Sequence, residues 1–301
     1  MRVTLKQLQV FEAVARHGSI NRAAEEIALS PSAAGTALKE MEKALGVPLF
    51  ERHKKQLTLN ANGYRLQSRA RSILNEIDDL ESRAKPCDLV GTLRIASGST
   101  VGAYLLPEIC ARFLKDHPRV LIQNIQVNSS EVAGRIHKMT QDIGFIDAQA
   151  ARPSLKVIPW IQDELTVFCS PKHPLANKCV HPNELENDNW ILPPIGTFAR
   201  MIIWAAFGNV GTRIKVGMES NSVECIKRTV RTGLGIGCLS RVVLNEDFEA
   251  GKLAPIHFNS VPLHRTISII LRKDIYHAEL VETFVEKCAH YAMVRQSQMS
   301  L

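Results

Sequence analysis

The sequence predicts an N-terminal all-α helix-turn-helix module carrying a β-wing, then a linker helix, then a C-terminal α/β region of two lobes. Three observations predict it. Short amphipathic helices fill the chain from Leu5 to about Ala44, a four-three apolar spacing runs from Ala61 to Lys85, and apolar strands alternate with helices from Gly91 onward.

In the opening module, Leu8, Phe11, Val14 and Ala15 give one helix an apolar face, and Ala23, Ala24 and Ile27 give a second, with Ser19 placed to cap it. Only "ALS" separates that helix from "SPSAAGTALKEMEKALG", and so short a turn between helices is a helix-turn-helix signal. Ser30 can cap this third helix, Pro31 suits its first position and Gly46 stops it. Its apolar stripe is Ala34, Leu38, Met41 and Leu45; Ser32, Thr36 and Lys39 face elsewhere. After Gly46, an anchor at Leu49 and Phe50, a basic "RHKK" tip and the alternating "QLTLN" have the pattern of a small wing.

From Ala61 to Lys85, Leu66, Ala70, Ile73, Ile77, Leu80 and Ala84 form a heptad seam with charges off it. Such a helix either packs on its own domain or pairs with a second copy; its length and its place between two regions of different pattern favour pairing. Beyond it, "GTLRIAS", "VLIQNIQV", "DIGFIDA", "ELTVFCS", "WILPP", "RIKVGMES", "GIGCLS" and "RTISIILRK" read as strands. Helices fall at "LLPEICARFLKDHP", from Ser130 to about Thr140, near Phe198 to Phe207, from Ser222 to Thr232 and at "HAELVETFVEKCAHYA". The alternation predicts a mainly parallel sheet covered on both faces, with the chain crossing between lobes near Asp163 and returning near Arg265.

The composition of the 301 residues, 45% apolar and 22% charged, is that of a globular protein, and the net charge of +7 favours polyanions, nucleic acid before membrane. Charges break up the N-terminus too often for a secretory signal and no apolar run reaches membrane-spanning length, so the expected setting is the cytoplasm. Seven cysteines without a C-x-x-C pair read as reduced thiols. His173, Cys179 and His181 lie among prolines and read as a polar surface loop, so no metal or cofactor is expected. No G-x-S-x-G, H-E-x-x-H or P-loop pattern is present, and "GLGIG" at Gly233 to Gly237 follows a helix and opens a strand, the reverse of a dinucleotide fingerprint. A catalytic reading therefore has no motif to stand on.

The stretch "LKQLQVFEAVARHGSINRAAEEIALSPSAAGTALKEMEKALGVPLFERHKKQLTLNANG" resembles the DNA-binding region of LysR-type transcriptional regulators, and the resemblance extends over essentially the whole chain. Gly18, Ser19, Ala23, Ala24, Leu38, Glu42, Leu49, Phe50, Thr58 and Gly63 stand at the family's characteristic places; Gly35, where Ser is usual, and Pro31, where Gln is common, depart from them. "STVGAYLLPEI", "DIGFIDA", "DELTVFCSPKHPLA" and "GLGIGCLSRVV" further resemble the branch linked to sulfur metabolism and sulfite sensing.

The resemblance implies a winged helix-turn-helix over 1–60, a dimerising linker helix over 61–87, and a regulatory domain over 91–301 like type 2 periplasmic binding proteins. Its lobe I would span about 91–162 and 267–301, and lobe II about 163–266. The implied partners are promoter duplex DNA, a small effector, further copies in a dimer and commonly a tetramer, and RNA polymerase; no membrane is implied. Ser30, Ser32, Ala33, Thr36 and Lys39 become candidates for the major groove, where hydroxyls, a methyl and an ammonium can meet base edges or phosphate. Arg52, His53, Lys54 and Lys55 become candidates for the backbone or a minor groove, with a solvated charge run as the alternative. Leu66, Ala70, Ile73, Ile77 and Leu80 become the dimer seam. In the regulatory domain "SGST", "NSS", "GTF" and "SNS" each put polar side chains after a strand and near a helix N-terminus, which favours anions. Ser99, Thr100, Ser129, Thr197 and Ser222 are the effector candidates, with Arg200 as counter-charge; simple helix capping is the alternative for each hydroxyl. Sulfite or a related anion leads among effectors, and a small carboxylate follows. The rival to a DNA-binding regulator is a plain solute-binding protein.

Overall fold

The computed structural model describes residues 3–53, 56–83, 89–147, 152–208, 214–258 and 263–299. Three helices open the chain: α1 (Leu5–His17), α2 (Ile20–Glu26) and α3 (Pro31–Leu45). Local chemistry sets their ends. Gln7 N–H donates to Thr4 Oγ1 at 3.3 Å and Thr4 N–H to Gln7 Oε1 at 2.9 Å, closing a capping box on α1. Ser30 Oγ accepts from the Ala33 N–H at 3.2 Å, and Gly46 ends α3 at φ 74°. Ser19 stands at the α2 N-cap without a side-chain capping bond. Burial fixes α2 instead: Ala23 and Ala24 are sealed among Val10, Phe11, Val14, Ala34, Leu38 and Met41. Leu45, expected in the buried stripe, is exposed, because it lies a turn beyond Met41, the last α3 residue in that core.

The wing is an antiparallel pair, β1 (Phe50–His53) and β2 (Gln56–Leu59), with Phe50 opposite Leu59. Phe50 meets Phe11 edge-on at 5.7 Å, and Leu57 N–H bonds Gly18 O at 3.0 Å, so the wing is tied to α1. Helix α4 (Ala61–Arg83) then starts against the wing. A Cβ on Gly63 would lie 2.3 Å from Leu49 O, so only glycine permits this approach.

The remaining chain builds strands β3 (Gly91–Ser97), β4 (Val120–Gln126), β5 (Ile143–Ile146), β6 (Leu155–Cys169), β7 (Cys179–Val180), β8 (Asn189–Leu192), β9 (Lys215–Glu219), β10 (Ile236–Ser240), β11 (Ala254–Phe258) and β12 (His264–Arg272). Between them lie α5 (Leu106–Asp116), entered through a π-helical turn at Val101–Leu105, and α6 (Ser129–His137), α7 (Phe198–Gly208), α8 (Val223–Arg231) and α9 (Arg241–Glu249); α10 (Glu279–Met299) closes the chain. The main sheet runs β4-β3-β5-β12-β6-β10-β8-β9, with β11 on β6 and β7 on β11.

Parallel pairing holds within each lobe, β4-β3-β5 and β10-β8-β9. The middle departs from the expected parallel sheet: β6 and β12 are long antiparallel neighbours running through both lobes, and β10 and β11 also pair antiparallel with β6. The first half of β6 gives no strand signal because Pro159 interrupts it; Pro159 pairs with Ser268 beside a register shift between Ile267 and Ser268. Both faces of both lobes are covered. Phe113 and Phe284 from α5 and α10 pack on one face of the first lobe, Val132 and Ile136 from α6 on the other. Ile203 and Phe207 from α7 cover one face of the second lobe, Ile226, Val230 and Val243 from α8 and α9 the other. Among the described residues, no helix is long and apolar enough to cross a membrane.

Candidate functional site

On α3, Ala34, Leu38 and Met41 face the core while Ser32, Ala33, Thr36 and Lys39 lie on solvent. The helix thus offers small groups near its N-terminus and an ammonium one turn on, a shape that admits close approach to a groove. Ser30 is partly committed, capping the helix and lying 3.0 Å from the Ser32 hydroxyl. Arg52 and His53 belong to β1, whereas Lys54 and Lys55 lie outside the described residues.

The heptad seam of α4 divides. Ala70 is buried and packs with Leu66 into the module's own core, so the expected five-residue dimer surface is not continuous. Ile73 and Leu80 are exposed at 42% and 69%, with Ile77 half-buried between them. The opposite, polar side of α4 docks on the regulatory domain: Gln67 Nε2 donates to Lys138 O at 3.1 Å, Ser72 accepts from Tyr276 N–H at 2.9 Å, and Asp79 accepts from Tyr276 Oη at 2.6 Å and Glu279 N–H at 2.9 Å. Both readings of the helix therefore have a face.

A closed set of charges joins α1, α2, α4 and the first lobe. Glu12 accepts from Arg16 at 2.9 Å and Arg71 at 2.5 Å, Arg71 also binds Asp142, Arg16 binds Glu26 at 2.5 Å, and Arg94 reaches Glu26 at 3.3 Å. Arg94 N–H donates to Asp142 Oδ2 at 2.8 Å. Burial opposes the ionised form of Glu26, yet bonds from Arg16 and His17 and the charges of Arg16 and Arg94 hold its pKa at about 2. Glu12, more deeply buried, is likewise held below the ordinary carboxylate range by Arg71 and Arg16. Within the set Glu12 and Arg16 are one helical turn apart, but Arg71, Arg94 and Asp142 come from far along the chain, and no motif points to the whole.

Between the lobes opens a cleft of about 820 Å³, lined by the loops that follow β3, β4, β5, β8, β9 and β10. These are the carboxyl ends of the strands, where open α/β sheets hold ligands. Ser99, Thr100, Ser129 and Thr197 line it. Two expected contacts are placed elsewhere. Ser222 caps α8 by accepting from Cys225 N–H at 3.3 Å, and the wall there is Ser220 and Asn221. Arg200 is 4% exposed, donates to Pro193 O at 2.8 Å, pairs with Glu219 at 3.0 Å and lies 4.5 Å over the Trp204 ring. Its guanidinium braces α7 against β9.

The cation of the cleft is Arg265, on the crossing strand β12. Its Nε donates to Asp163 at 2.7 Å, Nη1 to Asp147 at 2.5 Å and Nη2 to Thr100 Oγ1 at 3.3 Å. Asp163 also accepts from the Ser240 hydroxyl at 2.6 Å, and Asp147 from the Ser129 hydroxyl at 2.6 Å. A hydrogen-bonded chain therefore crosses the cleft floor from Ser129 in one lobe to Ser240 in the other. The sequence marks Asp163 and Arg265 only as crossing points. No local signal singles them out, since Glu164 stands beside Asp163 and His264 beside Arg265.

Cys169, Cys238 and Cys288 are buried thiols, and burial pushes Cys169 up to about 12. His173 bonds Asp188 at 3.0 Å and His181 caps a 3₁₀ turn. Among the described residues, no group of three His, Cys, Asp or Glu side chains could hold a metal ion.

Comparison with known proteins gives this geometry its context. Residues 5–64 match the bacterial regulatory helix-turn-helix protein of the lysR family, and residues 88–292 match the LysR substrate binding domain. The uncharacterized HTH-type transcriptional regulator YeiE of Escherichia coli K12 is 35% identical over 288 residues, covering 96% of this chain and 98% of that one. The HTH-type transcriptional regulator CysL of Bacillus subtilis is 28% identical over 296 residues, covering 97% of each. A full-length OxyR variant from Pseudomonas aeruginosa shares the fold at a TM-score of 0.76 and 20% identity, over 97% of this chain and 95% of that one. The chain belongs to the LysR family: it is a DNA-binding transcriptional regulator with an effector-binding domain, and not an enzyme.

Proposed function

From that membership we propose that the protein sits on promoter DNA as a two-fold assembly and changes its grip when a small oxyanion enters the inter-lobe cleft. The working units are the winged module over 1–60, the linker helix over 61–87 and the regulatory domain over 91–301. The N-terminal part of α3 reads base edges through Ser32, Ala33 and Thr36, Lys39 meets phosphate, and Arg52 with Lys54 and Lys55 follows the backbone from the wing. Ile73, Ile77 and Leu80 pair two copies, a tetramer forms from two such pairs, and the assembly works in the cytoplasm beside RNA polymerase.

The observation that carries the effector reading is Arg265, buried where the two lobes meet, bonded to Asp147, Asp163 and Thr100 on a floor whose walls supply further hydroxyls and the N-terminus of α6. Such a floor recognises an acid group. Sulfite is the leading effector because the four regulatory-domain stretches resemble the sulfur-linked branch. A small carboxylate is the second reading, favoured by the size of the cleft and by apolar wall residues such as Phe145, Met201 and Leu239, which suit an organic body. Fluorescence anisotropy of the full chain on its own upstream DNA, titrated with sodium sulfite and then with simple carboxylates, tests both. A shift in DNA affinity with sulfite supports the first reading; a shift only with carboxylates replaces it with the second; indifference to DNA at low salt ends the proposal.

A further inference from the structure

The cleft floor holds one guanidinium and two carboxylates, and the two carboxylates differ. Asp163 is 2% exposed, bonded to Arg265 Nε and the Ser240 hydroxyl, and no solute reaches it. Asp147 stands at the end of β5 on the cleft wall with its side chain 27% exposed. One of its oxygens takes Arg265 Nη1 and the other takes the Ser129 hydroxyl at the first residue of α6. Those two donors are what an oxyanion entering the cleft would seek: a charged guanidinium N–H and a hydroxyl at a helix N-terminus. With both carboxylates in place the floor carries one negative charge in excess, and a bare anion is repelled from the donors it needs.

We propose that Asp147 is a built-in stand-in for the effector's acid group, occupying Arg265 and Ser129 in the effector-free protein and displaced from them when the effector binds. The inference rests on the reading of the cleft as an anion site and names the residue that sets its selectivity. Displacement frees the joint between β5 and α6, so binding is reported to the first lobe as the loss of a bridge. A weak anion fails to displace Asp147, and the threshold for response is set inside the protein.

The test is calorimetric titration of the full chain with sodium sulfite, sodium sulfate and sodium acetate, and with glycine as a zwitterion, in the wild type, Asp147→Asn and Arg265→Gln. Asp147→Ala replaces Asp147→Asn if circular dichroism shows the amide variant unfolded. Removing the competing charge is expected to tighten binding of at least one anion by about tenfold or more, and Arg265→Gln to abolish it. Equal or weaker anion binding by Asp147→Asn, or anion binding that survives Arg265→Gln, overturns the inference while leaving the cleft an anion site. Glycine binding that is lost in Asp147→Asn overturns it too, showing Asp147 as an ammonium acceptor. No heat from any anion in any variant overturns both this inference and the anion reading beneath it.

Discussion

Two of the charge clusters in this molecule are built to opposite rules. At the junction of α1, α2, α4 and the first lobe, Arg16, Arg71 and Arg94 face Glu12, Glu26 and Asp142, three against three. On the cleft floor Arg265 faces Asp147 and Asp163, one against two, with hydroxyls completing the bonds. A balanced set has nothing to gain from a further ion. An unbalanced one with an accessible member can exchange that member for a ligand. The junction ties the DNA-binding module to the first lobe, and on the proposal made above the cleft floor is the part that opens.

The largest effect that would break this contrast is Arg71→Ala. It removes the cation shared by Glu12 and Asp142 and leaves them only Arg16 and Arg94. Since complete unpairing of a buried charge costs about 3–5 kcal/mol, the loss is expected to approach that range from below. Denaturant unfolding of the full chain should show the loss as a lower midpoint, with the helix-turn-helix module released first in limited proteolysis; an unchanged midpoint would mean that the junction is not a clamp. Ser240→Ala is expected to be smaller. It removes one hydroxyl from Asp163 but leaves Arg265 in place, and a hydrogen bond to a charged group contributes about 1.5–3 kcal/mol. A Ser240→Ala loss exceeding that of Arg71→Ala would reverse the ranking of the two sites.

Acid sharpens the comparison further. Glu26 is held at about 2 in the folded protein against an ordinary 4.5. Its contribution to stability is therefore complete above about pH 4.5 and is lost as pH falls from there towards 2. The stability difference between wild type and Glu26→Gln should shrink over that window, read from unfolding curves at successive pH values. A difference that stays constant would show the Glu26 bonds to be incidental. The smallest effect belongs to charges in neither set. Lys39→Ala with Arg52→Ala should leave stability alone and lower the log-log salt dependence of DNA binding by about one for each phosphate no longer neutralised. An unchanged slope removes both residues from the interface.

How much of this was legible in the sequence follows from the range of the interactions. Helix α3 could be read to both ends because Ser30, Pro31 and Gly46 act within a few residues of themselves. The wing, and strands such as β3 and β4, were legible for the same reason. The parts that escaped depend on distant partners. The first half of β6 is hidden by Pro159, which the sheet tolerates at an irregularity in its pairing with β12. Arg200 reads as a free cation beside a helix N-terminus until Glu219 and the Trp204 ring fold against it. The α4 seam has one spacing throughout, yet the fold assigns Leu66 and Ala70 to the interior and leaves Ile73 and Leu80 outside. Of the site, the hydroxyl loops were visible as motifs; the Asp147–Arg265–Asp163 chain was not, because 118 and 102 residues separate the paired groups.

The two strands that join the lobes are themselves a ladder, paired from Glu164 opposite His264 to Leu155 opposite Arg272. Each is also held on its outer side, β12 by β5 in one lobe and β6 by β10 and β11 in the other, so the ladder is the continuous middle of the sheet. Its weak point is the irregular step beside Pro159, a few residues from Arg265. Relative motion of the lobes should therefore bend the ladder at that step, and a contact made at Arg265 lies close beside it.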